Sequence, residues 1–390
     1  MKSKVFIPEE EYKQRVGRAA KMLRELGLDA MVVVSTESDY ANVRYFSGFW
    51  PLFERAGFVI SANGDSALLC GPESGKFAAD FAKTDKIFVM KEFRESADPV
   101  YPELQTESFS EVFKKVGVTG AQLKIGLGSY LDCTLPIYSA LKESFPKAEI
   151  VRCDHVMVSL RKIKSAAELA CIKEGFRIIE IATDEVIKAL KPGVTELQMV
   201  GVAQKAIYEN GAEYEGLPMY VFSEKSTSHA ISRSRYRVIG KGDIVQLNLS
   251  AKVDGYSPSI GLPVSMGRLS GEKKDVVDFC LYAHKWTEAQ LCAGKKASAV
   301  ALGFYDLFKN SGMEKNYVYG PCHGTGMIEV EAPWMETVSD YCLEKNMTFQ
   351  IDTFVSGATF GVRWEKGVAI TENGCAPMTD YLKKTVEIEV

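Results

Sequence analysis

The chain has 390 residues, with 47 Lys and Arg against 51 Asp and Glu, a formal net charge of −4. Hydrophobic residues at 46% and charged residues at 25% are those of an ordinary globular chain, which excludes general disorder and favours two domains over one very large core. No basic cluster offers itself to nucleic acid or to an anionic membrane.

The opening segment, MKSKVFIPEEEYKQRV, lacks the apolar run of a signal peptide. Nowhere does the sequence reach the roughly 18 consecutive apolar residues of a spanning helix, so a cytoplasmic protein with no membrane partner is expected. The nine cysteines are scattered and odd in number, with no C-x-x-C pair, and are expected to be reduced and mostly buried.

In chain order, the spacing predicts a helix over Glu9 to Leu26 and a strand over Ala30 to Val34. Strands follow at Gly57 to Ile60, Ala67 to Cys70 and Lys124 to Leu127, with helices at Gly75 to Ala82, Phe109 to Lys115 and Leu135 to Glu143. This alternation predicts an α/β layer with a parallel or mixed sheet. The texture changes near Asp154 to Lys164. Ser165 with Glu168 forms a capping box, and Leu169, Ile172, Phe176, Ile179, Thr183, Val186 and Leu190 make one apolar stripe of a long helix ending at Pro192-Gly193. Thr195 with Gln198 starts another helix, to about Tyr208.

Over Asp243 to Val253, Val245, Leu247, Leu249 and Ala251 alternate with Gln246, Asn248 and Ser250, which predicts a strand with a polar front face lining a cavity. A turn at Asp254-Gly255 leads to a second strand ending at Met266. Helices at Lys273 to Cys292 and Ser298 to Asn310, and strands at Thr348 to Phe354 and Gly361 to Ile370, complete the pattern.

Several landmarks stand out in fixed order: LRKIKSAAELACIKEG at 160–175, KPGVTELQ at 191–198, the isolated His229, KGDIVQLNLSAKVDGY at 241–256, CHGTG at 322–326, EAP at 331–333 and GVRWEKGVAITENG at 361–374. Together they resemble the pita-bread hydrolases, the family of methionine aminopeptidase, aminopeptidase P, prolidase and creatinase. The resemblance implies an α/β creatinase-type N-terminal domain over 1–154, followed by an α+β pita-bread domain over 155–390.

It also carries a ligand set. The family's metallopeptidases hold two metals with Asp, Asp, His, Glu and Glu, which fall here on Asn248, Ser259, His323, Asp352 and Glu365. An amide and a hydroxyl stand where two carboxylates would be, so two divalent ions would lose much of their charge compensation. Two alternatives remain open. Creatinase, similar in having Asn at the position of Asn248, works without metal, and on that precedent no cofactor is expected. Alternatively, His323, Asp352 and Glu365 could hold one ion such as Mn, Zn or Fe.

The resemblance gives His229 the role of general base and acid, a task imidazole suits near neutral pH. Two carboxylates on one cavity would repel, so one of Asp352 and Glu365 should hold a proton, or pair with Arg363 or with a cationic substrate group. His323 is read either as a site residue or as a structural histidine of a Gly-rich turn. LFERAGFVI at 52–60 is similar to the creatinase segment whose Phe and Arg reach the partner subunit's site, and these positions are Phe53 and Arg55 here. Departures are also plain: Gly261 where creatinase has a glutamate, Val330 where the peptidases have a second His, and Glu329 and Glu331 nearby. The expectation is therefore metal-independent hydrolysis of a C–N bond in a small molecule by a homodimer, with His229, Asp352 and Glu365 catalytic. Phe53, Arg55, Asn248, Ser259, His323 and Arg363 would bind substrate. A mononuclear Xaa-Pro peptidase and a catalytically silent binding protein are the alternatives.

Overall fold

Tyr12, Val16, Ala19 and Leu23 recur at three- and four-residue intervals, so the helix Glu9–Glu25 buries one stripe and leaves its charged face in solvent. In the computed structural model, which describes residues 4–381 and 385–390, this helix belongs to a first unit spanning Ile7–Arg161. Its sheet runs β1 (Ala30–Ser35), β2 (Ala56–Ser61), β3 (Ser66–Cys70), β4 (Ile87–Val89), β5 (Lys124–Leu127) and β6 (Glu149–Arg152). The spatial order is β4-β3-β2-β1-β5-β6. It is mixed, as expected: β1–β2 and β2–β3 are antiparallel and the other pairs parallel. Val32, Val34, Val59, Leu69 and Ile125 pack there against Phe93, Phe109 and Phe113.

The expected division at 154/155 falls at the start of the helix Asp154–Arg161, whereas the units part between Arg161 and Lys162. That helix is tied to the first unit. Tyr45 Oη donates to Leu160 O at 2.9 Å, and Arg161 Nη1 donates to Asn42 Oδ1 at 2.8 Å.

The second unit opens with the helix Ala166–Ala189, whose Ser165/Glu168 capping box forms as read from the sequence. Its sheet contains β7 (Tyr220–Ser223), β8 (Ile244–Ser250), β9 (Ser259–Met266), β10 (Cys322–Gly324), β11 (Glu331–Met335), β12 (Thr348–Ser356) and β13 (Gly361–Thr371), in the order β11-β10-β12-β13-β9-β8-β7. Two short strands, β14 (Gly374–Pro377) and β15 (Val386–Ile388), join β13 and β9. Phe176 of the long helix packs on β13 so closely that a Cβ at Gly367 would lie 2.4 Å from its ring, which is why that strand carries glycine there. Among the described residues, no helix is long and apolar enough to cross a membrane.

A second helix, Gly271–Gln290, packs on β12 and β13 and buries His284 against the Trp364 carbonyl, 3.2 Å from Nδ1. Burial, then Lys366, push the His284 pKa down from 6.5 to about 3. The unfolded chain therefore takes up a proton near pH 6.5 that the folded chain refuses until about pH 3, so this residue's contribution to stability is present above that window and lost as pH falls through it. Wild type should lose about 1.4 kcal/mol per pH unit more than His284→Asn across that interval. Urea unfolding at pH 7, 6 and 5 checks it, and parallel pH profiles for the two proteins would refute it.

Candidate active site

Five strands bring their polar residues to one face. In the ladder, Asn248 and Glu365 both lie opposite Gly261, Ser250 opposite Ser259, and Asp352 opposite Glu365. A Cβ at Gly261 would sit 2.7 Å from Glu365 Cβ and 2.8 Å from Asn248 Nδ2, so the creatinase-type glutamate at this position has no room. Gln246, Asn248, Ser259, Gln350 and Glu365 are all buried and hydrogen-bonded to one another.

The polarity of this network is fixed. Gln246 Oε1 accepts from the Arg363 backbone N–H at 2.8 Å, so its Nε2 must donate, at 3.1 Å, to Asn248 Oδ1. Asn248 then has only its Nδ2 hydrogens to present, and these go to Glu365 Oε2. On the other side, Gln350 Nε2 donates to the Ser259 carbonyl at 3.0 Å and to Ser259 Oγ at 2.9 Å. The Ser259 hydroxyl proton therefore points at the carboxylates, with Oγ 2.9 Å from Glu365 Oε1 and 2.8 Å from Glu329 Oε1. Both chains of donors end on Glu365, an acceptor.

Glu329 is the residue that the family positions do not supply. It reaches the centre from the segment before β11, and its carboxylate faces that of Glu365. Burial, then Glu329, hold Glu365 well above the usual carboxylate range, and burial raises Glu329 as well. Without a cation the pair shares a proton. Glu365 thus shares its site with Glu329, an acid outside the pair read from the sequence, while Asp352 takes the pairing with Arg363 that was one of the alternatives read there.

Asp352 is committed elsewhere. Arg363 Nε lies 2.9 Å from Asp352 Oδ1, an ion pair whose angle falls outside hydrogen-bond geometry, and Tyr319 Oη donates to Asp352 Oδ2 at 2.7 Å. Arg363 Nη2 donates to Tyr319 Oη and to the Ala230 carbonyl, each at 2.7 Å. Burial opposes the Arg363 charge, yet Asp352, Tyr319 and Glu365 leave its pKa well above the usual value. Asp352 thus has its own cation and no free charge for a substrate.

His323 Nδ1 donates to the Gly324 carbonyl at 2.9 Å, and its Nε2 lies 3.8 Å from Glu365 Oε1 and 4.0 Å from Glu329 Oε1. The Trp334 ring lies 5.3 Å away. Glu331 takes no part, because it forms a buried ion pair with Lys164 at 2.9 Å. His229 is exposed on the loop after β7, its Nδ1 3.3 Å from Ser232 Oγ, and it does not touch the acidic centre. The loop is tied to the site strand by the Ala230 carbonyl, held by Arg363, and by Thr227 Oγ1, which accepts from Gly361 N at 2.9 Å.

In the first unit, Phe53 is 74% exposed with φ +58°, a conformation bulky residues seldom adopt. Buried Glu54 holds this turn by accepting from Glu73 N, Ser74 N and Ser74 Oγ. Arg55 is half-buried, and its Nε has no hydrogen-bond partner.

The sequence profile of metallopeptidase family M24 matches residues 170–372, and that of the creatinase/prolidase N-terminal domain matches 15–163. The chain belongs to metallopeptidase family M24. It is 24% identical to a Xaa-Pro dipeptidase of Pyrococcus furiosus over 94% of this chain and 98% of that one. A creatinase of a Bacillus species is 22% identical over 97% and 93%. An X-Pro aminopeptidase from Thermotoga maritima superimposes with a TM-score of 0.81 at 23% identity, covering 96% of this chain and 99% of that one. The pita-bread fold with its creatinase-type N-terminal domain is as expected, and this M24 protein is a hydrolase of creatinase, aminopeptidase P or prolidase type.

The family's two-ion centre does not fit these residues. Asn248 presents N–H groups and has its oxygen occupied, Ser259 has its proton directed at carboxylates, and Asp352 is neutralised by Arg363. Donor hydrogens do not ligate cations. The three atoms that do converge, on His323, Glu329 and Glu365, suit one ion at most.

Proposed function

We propose that the protein hydrolyses a C–N bond in a small polar molecule, using side chains of the front face instead of the family's two-ion centre. The observation that carries this is the pair of donor chains ending on Glu365 at the positions where the metallopeptidases place two aspartates. Asn248 and Ser259 orient the carboxyl group, Glu329 and Glu365 supply negative charge for a nitrogen-bearing group, and His229 moves the proton. A small guanidino or amido compound suits such a site, and the likeness to creatinase supports the same class.

The test is a turnover screen of guanidino and amido carboxylates beside Xaa-Pro dipeptides. His229→Ala should lower kcat by roughly 10²–10⁴ on whatever compound turns over. Because His229 is exposed and weakly held, its stability should stay within about 0.5 kcal/mol of wild type. No turnover of either set, or an unchanged kcat in the variant, would instead support a silent binding protein.

A second reading, a peptidase of Xaa-Pro type, is favoured by the convergence of His323 Nε2 with the carboxylates of Glu329 and Glu365, and by the names of the dipeptidase relatives. If an ion bound there, it would act as a Lewis acid or activate water. We also propose a homodimer, supported by the large exposed side chain of Phe53 on a turn pinned by buried Glu54. Sedimentation velocity showing only monomer at micromolar concentration would remove that proposal.

A further inference from the structure

We infer that Gln246 is a positioning residue: its side-chain amide takes the place of a strand contact that Pro263 cannot make, and so fixes Arg363 and Asn248 relative to each other. Only the kinetic consequence of this inference rests on the hydrolase reading of the site.

The starting point is a gap in the sheet. Among the described residues, β9 and β13 share one register pair, Glu365 with Gly261. Two residues further on, the same antiparallel count sets Arg363 against Pro263, which has no N–H to give. Proline is rare inside a sheet for that reason. On the far side of β9, Gln246 is the register partner of Pro263. Its side chain crosses β9 and reaches β13, a strand that is not a neighbour of its own.

There the amide does what a facing peptide group would do. Oε1 accepts from the Arg363 N–H at 2.8 Å, and Nε2 donates to the Arg363 carbonyl at 3.1 Å. A backbone N–H can only donate, so the sense of the glutamine amide follows without reference to any protonation state. Nε2 also faces Asn248 Oδ1 at 3.1 Å and the Leu247 carbonyl at 3.0 Å. The side chain is 3% exposed, so water does not compete for these partners.

Two parts of the site depend on this one amide. Arg363 Nη2 donates to the Ala230 carbonyl beside His229, and Asn248 Nδ2 donates to Glu365. Acting through Arg363 and Asn248, Gln246 places the His229 loop and the Glu365 carboxyl in one frame. Its residue type has a reason that alternation alone does not give: an apolar side chain would fill the space and leave two buried backbone groups of Arg363 unpartnered.

The experiment compares full-length wild type, Gln246→Met, and Gln246→Met with Pro263→Ala. Methionine keeps the length and loses the hydrogen bonds. Hydrogen exchange at the Arg363 amide should quicken about 10–100-fold in the single variant. The Trp364 amide, which the strand turns the other way toward β12, is the control and should hold its rate. Trypsin cleavage after exposed Arg233 or Arg235 should quicken roughly tenfold, because the loop loses its hold on Arg363. On any compound that turns over, kcat per folded molecule should fall roughly 10²-fold with KM within about threefold, the mark of misplacement and not of lost binding. Restoring a strand N–H with Pro263→Ala should recover at least about half of the lost protection on a logarithmic scale.

Unchanged exchange at Arg363 would overturn the inference. So would faster exchange there with unchanged loop cleavage and unchanged kcat, since a purely structural glutamine behaves in that way. If the single variant fails to fold, the double variant decides: slow Arg363 exchange in a folded protein supports the inference, and failure to fold overturns it. If wild type turns over none of the compounds, the hydrolase reading falls, and exchange with loop cleavage still tests Gln246.

Discussion

Arg363→Met is expected to destabilise the protein by about 3–5 kcal/mol, the usual cost of removing one partner from a buried ion pair. The guanidinium lies 2.9 Å from Asp352, bonds to Tyr319 and Ala230, and packs over the Phe354 ring at 5.2 Å. Met keeps most of the packing and deletes the charge. Asp352 would then be a buried carboxylate facing only the Tyr319 hydroxyl, with desolvation no longer compensated. The double variant Arg363→Met, Asp352→Asn should recover more than half of the loss, because the orphaned charge goes with its partner. Urea unfolding of the four proteins in the cycle gives the coupling directly. Additive losses would mean that the pair is not an energetic unit. Since Arg363 also holds the Ala230 carbonyl, the single variant should free the loop bearing His229 and reduce turnover beyond the loss of folded protein.

How much of this was legible in the sequence depends on the range of the interaction. The helices and the central strands follow from periodicity and capping, both local properties: Ser165 and Thr195 cap where they were read to cap. The short strands β7, β10 and β11 and the helix Ala41–Ser47 were missed, because a few residues show no period and their ordering comes from neighbours distant in sequence. The site is similar. Asn248, Ser259, His323 and Glu365 were found by position, and they do converge.

The partnership of Glu329 with Glu365 was not found by position. Asp352 and Glu365 were placed on one cavity by family position and strand alternation, with Arg363 as a possible partner, and Arg363, two residues before Glu365 on the same strand, does pair with Asp352. Glu329 carried one available signal: it is an acid directly beside Val330, the position at which the resemblance implies a histidine. Only the fold of the segment after the Gly-rich turn shows that its carboxylate points at Glu365.

Glu365→Gln should separate chemistry from stability in the opposite sense to Arg363→Met. Asn248 cannot reverse, because its oxygen is held by Gln246, and Gln246 is held in turn by the Arg363 N–H. The new amide must therefore turn its oxygen to Asn248 and its NH₂ toward Ser259 and Glu329. Both can accept: Glu329 is a carboxylate, and the Ser259 hydroxyl can swing its proton to Glu329 at 2.8 Å. Every buried polar atom keeps a partner, so the fold should lose only about 1 kcal/mol. The centre, however, loses one of its two carboxylates and the acceptor at which both donor chains converge. kcat should fall roughly 10²–10⁴-fold, the range for a positioned acid–base group. Steady-state kinetics and urea unfolding on the same preparation test both halves. Turnover within tenfold of wild type would remove Glu365 from the chemistry. A loss of 3 kcal/mol or more would mean that the donor chains are not oriented as the Arg363 backbone dictates.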